Sequence, residues 1–75
     1  MSPAKIQAIH ILEKWTTAAN EKRLPEHSKI FFRAWDIVEG RAWAMSEKPK
    51  VIEYIKNNLK NNVERAAVLC ALDES

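Results

Sequence analysis

The chain is poor in the residues that staple or punctuate small folds. Its 75 residues hold one cysteine, Cys70, one glycine, Gly40, and two histidines, His10 and His27. A single thiol excludes an intrachain disulfide. Two histidines and one cysteine fall short of a tetrahedral zinc set, so no metal and no cofactor is expected. With one glycine there is no glycine-rich phosphate loop. No apolar run approaches the length that spans a bilayer. The opening residues MSPAKIQAIHILEK lack an apolar stretch followed by a small-residue cleavage site. Together with the lone reduced thiol, this predicts a cytoplasmic protein with no membrane partner.

Strong charge of one sign is also missing. Twelve Lys and Arg against ten Asp and Glu leave a net charge of +2. The excess comes from Lys5, Lys14, Lys22 and Arg23 against Glu13 and Glu21, and the remainder balances. A nucleic-acid binder usually carries a basic face, and the mixed charges here read as a solvated surface.

Alanine, leucine, isoleucine, glutamate and lysine are plentiful, and no run alternates with a period of two. The expected fold is all-α: one domain over residues 1–75, a small bundle of three to four helices with a central, mostly apolar second helix. Ser2 and Pro3 are a good cap and first residue for a helix running to about Asn20. Ala4, Ala8, Ile9, Ile11, Leu12, Trp15 and Ala19 share its apolar face. Pro25 separates it from a second helix, which begins between Pro25 and Ser28 and runs to about Ser46.

That second helix places Phe31, Ala34, Trp35, Val38, Ala42 and Met45 on its main stripe. Ile30 and Ile37 widen the stripe on one side, Phe32 and Trp43 on the other. The apolar arc then covers roughly two thirds of the circumference, leaving Lys29, Arg33, Asp36 and Gly40 as the polar strip. So wide an arc needs cover on several sides. In a short chain, the Phe32–Trp43 edge is the part expected to remain for a partner. The third helix, about Lys50 to Lys60, turns Val51, Ile52, Ile55 and Leu59 inward.

The stretch KNNLKNN, residues 56–62, interrupts an otherwise helical pattern. In a continuous helix Asn62 would fall on the buried face, where an unsatisfied amide is costly. A break lets Asn61 cap a fourth helix, with Glu64 reaching back as in a capping box. Asn57 and Asn58 would help to end the third helix, since asparagine tolerates the left-handed region. The fourth helix would be short, Val63 to Leu72, with Val63, Ala66, Ala67, Leu69 and Cys70 as its apolar residues and a frayed tail after it.

Asp36 and Glu39 are three residues apart and could form an acid–base pair, but no third group completes a site, so they read as solvated carboxylates. Cys70 lacks the helix N-terminus or cationic neighbour of a reactive thiolate and reads as core. A non-enzymatic role is therefore expected. Lys56, Asn57, Lys60 and Asn61 would face outward together in a helix-turn-helix of residues 50–72, and asparagine can read adenine. Arg65 is the only basic residue beyond that turn, so phosphate contacts are thin and nucleic-acid binding is the alternative reading.

The preferred reading is a regulatory or inhibitory protein that binds another protein through Phe32, Glu39, Arg41 and Trp43. Aromatic residues and arginine are enriched at interface cores. Self-association as a homodimer is its simplest form, because it would bury the excess apolar arc symmetrically.

Overall fold

The computed structural model describes residues 1–75 and contains four α-helices and no strand. In order they are α1 (Pro3–Glu21), α2 (Pro25–Val38), a 3-10 segment (Ala42–Glu47), α3 (Lys48–Asn58) and α4 (Asn62–Glu74). No helix is long and apolar enough to cross a membrane.

The start of α1 follows from its first residues. The Ser2 hydroxyl accepts from the Lys5 backbone N–H at 3.3 Å, and Pro3 takes the position where its missing N–H costs nothing. The helix buries Ala8, Ile11, Leu12, Thr16 and Ala19. Its end is less conventional. Leu24 N–H reaches Ala19 O at 2.9 Å and Arg23 N–H reaches Asn20 O at 3.1 Å, the paired bonds of a Schellman motif. That motif puts Arg23 in the left-handed region, at φ 57°, where glycine is the usual occupant.

α2 is the hub, touching α1, the 3-10 segment, α3 and α4, whereas α1 and α3 do not meet. Ile30, Phe31, Ala34, Ile37 and Val38 are buried on it. The helix stops well before the Ser46 expected from periodicity. Gly40 adopts φ +85°, its N–H bonds Ile37 O at 3.0 Å, and Arg41 N–H bonds Asp36 O at 3.1 Å. This is a second Schellman motif, and the chain's only glycine builds it. Ala42 to Glu47 then form a separate 3-10 segment that buries Ala44. Trp43 is therefore not on the second helix, and Ala42, expected in its stripe, is exposed.

α3 buries Val51 and Ile55, and Leu59 closes it as a buried C-cap. The asparagine-rich stretch is a break. Asn61 Oδ1 accepts from the Glu64 N–H at 2.9 Å and caps α4. Half of the expected capping box is missing, because the Glu64 carboxylate bonds Lys14 and Trp15 of α1 instead. Asn57 and Asn58 are not left-handed either, since Arg23 is the only non-glycine residue with positive φ. Asn58 instead donates its side-chain amide to Tyr54 O at 3.0 Å.

α4 packs mainly through residues outside the apolar set expected of it. Val68, Ala71 and Leu72 are buried, while Val63 is 78% exposed and Ala66 and Cys70 are exposed. Ala67 and Leu69 pack partly against the core beside them, so the apolar arc of α4 is wide, with Val68, Ala71 and Leu72 at its centre. The helix also continues through Asp73 and Glu74, the expected frayed tail. Sixteen buried residues drawn from all these elements form a single core.

Candidate functional site

The end of α2 and the 3-10 segment form a corner that carries Glu39, Arg41 and Trp43, with Phe32 two turns earlier on α2. Phe32 is 52% exposed and Trp43 62% exposed. They are held differently. The Phe32 ring lies 5.6 Å from the Trp35 ring, centroid to centroid. The Trp43 ring lies under the Arg33 guanidinium, 4.8 Å from its centroid, in cation–π geometry.

An ion network explains why this corner keeps its shape. Asp36 is buried, and its two carboxylate oxygens face Arg33 at 3.6 Å and Arg41 at 3.5 Å. Arg33 also pairs with Glu47 at the far end of the 3-10 segment. Arg41 pairs with Glu39 at 3.3 Å. A buried carboxylate needs such partners, so Asp36 is not the solvated acid expected of it. It ties the two sides of the Gly40 turn together. Glu39 and Arg41 remain exposed at the rim.

Periodicity alone missed Arg33, Asp36 and Glu47. The Arg33–Asp36 spacing of three was a readable signal for a helix-surface pair. Glu47 had none, because its approach depends on the turn.

The alternative residues gather at the α3–α4 turn. Lys56, Asn57, Lys60 and Asn61 are all exposed. Lys60 Nζ donates to Asn57 O at 2.7 Å, and Asn61 is engaged as the cap. Arg65, the sole cation of α4, donates to Leu59 O at 3.0 Å and to Asn62 Oδ1 at 2.7 Å. Lys60 and Arg65 thus spend part of their donor capacity inside the turn, and Asn61 spends its side-chain oxygen there.

Cys70 is exposed on α4, 3.9 Å from a Glu74 oxygen, and is not a core residue. His10 is exposed, and His27 Nδ1 shares a hydrogen bond with the Tyr54 hydroxyl at 2.5 Å. Burial, and secondly the charge of Glu26, push the Tyr54 hydroxyl above its ordinary pKa. No three His, Cys, Asp or Glu side chains converge.

No protein-family model, curated protein or solved structure matches this chain. Its own geometry carries the functional reading.

Proposed function

We propose that this chain is a small, non-enzymatic, cytoplasmic binding protein, regulatory or inhibitory in role, that docks on protein through the corner between α2 and the 3-10 segment. The observation behind this reading is the exposure of Trp43 on a segment held by buried and half-buried ion pairs. A large side chain that is exposed yet fixed loses little freedom on binding, and Trp and Arg dominate interface hot spots.

The partner that fits most simply is a second copy. Arg41 and Glu39 carry opposite charge side by side at the rim, with Arg41 two residues from the exposed Trp43. A two-fold contact would set the Arg41 of one copy against the Glu39 of the other, a self-complementary arrangement.

The test is solution mass by light scattering across a dilution series, on the wild type and on Trp43→Ala. A dimer that dissociates on dilution, and a Trp43→Ala variant that stays monomeric, support the reading. A wild-type monomer at every concentration removes self-association. A dimer unchanged by Trp43→Ala removes this corner as its interface.

A further inference from the structure

A cavity of about 220 Å³ opens at the other end of α2, between the end of α1 and the α3–α4 turn. Trp15 and Phe31 wall it, with Leu24 and His27 beside them and Lys22 and Lys60 also in the lining. The volume exceeds the roughly 150 Å³ that accommodates benzene in an engineered core. It is below the ~300 Å³ at which drug-sized pockets begin.

The backbone explains the shape. The Schellman motif at Arg23 turns the chain sharply and brings Leu24 over Ala19, another residue of the lining. Leu24 is 42% exposed there, an apolar edge left open to solvent. The rings already sit edge to face: Trp15 and Phe31 centroids are 6.0 Å apart at 68°, and Phe31 and His27 centroids 5.8 Å apart at 61°. The Trp15 indole is pinned by its bond to Glu64, and His27 by its bond to Tyr54.

Charge is one-sided. The lining contains two lysines and no acid. Neither Lys22 nor Lys60 is in an ion pair, and Lys60 uses only one of its donors, on Asn57 O. An ammonium has three donors, so both side chains keep capacity for an anion.

We infer that the Trp15–Phe31 cavity binds a small planar aromatic carboxylate, the ring lying against Trp15 and the exposed Leu24 at the mouth of the cavity and the carboxylate meeting Lys22 and Lys60. A ring fits because it extends the edge-to-face packing already present. A carboxylate fits because charge-assisted hydrogen bonds are the strong ones and both charged residues of the lining are lysines.

Indole-3-acetate and its neutral analogue indole-3-acetamide are the probes, titrated into the full chain and followed by two-dimensional ¹H–¹⁵N NMR. Saturable shifts are expected at the Trp15 indole N–H and at the Leu24 and Lys60 amides, with the Trp43 indole unmoved. The acetamide, and the double variant Lys22→Gln with Lys60→Gln, are each expected to bind about tenfold more weakly, given the modest contribution of each exposed charge. Both lysines are exposed, so that variant keeps the fold. No saturable shift at Trp15 at millimolar probe, or equal affinity for acetate and acetamide, overturns the inference. Shifts confined to Trp43 would place aromatic binding at the other corner and overturn it as well.

Discussion

The indole Nε1 of Trp15 donates to the Glu64 carboxylate at 2.8 Å, joining the middle of α1 to the first turn of α4. Lys14 pairs with the same carboxylate. The hydrogen bond from Lys14, then that from Trp15, hold the Glu64 pKa below its ordinary value of 4.5, against the opposing effect of burial. A carboxylate whose folded pKa lies below its unfolded one stabilises the fold fully above the unfolded value. That contribution is lost as pH falls through the folded value. Glu64→Gln is expected to lower stability by about 1 kcal/mol at neutral pH. In thermal melts the gap to wild type should narrow as pH falls through the depressed Glu64 pKa and close once the carboxyl is protonated in both states. A gap unchanged at still lower pH would mean that the charge of Glu64 is not what matters.

Asn61 closes the other side of the same contact. Its side chain takes the Glu64 N–H, an otherwise orphaned donor. Asn61→Ala should cost about 1 kcal/mol in denaturant unfolding. Asn57→Ala, at an exposed position whose side chain caps nothing, should stay within about 0.5 kcal/mol of wild type. Equal effects at the two positions would remove the capping role.

Arg23 and Gly40 make a matched pair, because both occupy the left-handed position of a Schellman motif. Arg23→Gly should raise stability by roughly 0.5–1 kcal/mol, the relief of φ strain partly offset by a more flexible unfolded chain. Gly40→Ala should lower it by about 1 kcal/mol. A Cβ at Gly40 would meet nothing within 4 Å, so its cost is conformational and not steric crowding. The two melting shifts should have opposite signs.

Trp43→Ala should leave the far-ultraviolet circular dichroism spectrum nearly unchanged, since Trp43 is mostly exposed. Phe31→Ala should cost 3–5 kcal/mol, by the usual range for a buried phenylalanine, which is enough to unfold much of so small a domain. Collapse of the helical signal in Trp43→Ala would show that Trp43 is structural, and the proposed binding corner would be lost with it.

Local chemistry was the part of the fold most legible in the sequence. Ser2, Pro3, Pro25 and Asn61 each act on backbone groups within a few residues, and each begins a helix or its cap as expected. The end of α2 was hidden because Ala42 and Met45 continue the helical phase past Gly40, so periodicity ran on through the turn. The face of α4 was hidden because apolar residues nearly ring the helix: Val63 and Leu69 match Val68 and Leu72 in size, so pattern did not decide which side packs. Asp36 looked like a surface acid because its burial depends on Arg41, across a turn that periodicity did not place. At the candidate corner, the exposed aromatics and the Arg41–Glu39 rim were legible, whereas the Arg33, Asp36 and Glu47 scaffold beneath them was not.

The glycine turn has a consequence for how the chain closes on itself. A straight helix from Pro25 to Glu47 would be about 34 Å long at 1.5 Å per residue, more than the longest molecular extent of 30 Å. The last two helices would then be carried beyond the reach of the first. Their Val51, Ile55, Leu59, Val68 and Leu72 would find matching surface only on another molecule opened in the same way. That would be the geometry of domain exchange; the left-handed turn at Gly40 instead folds the chain back within one molecule.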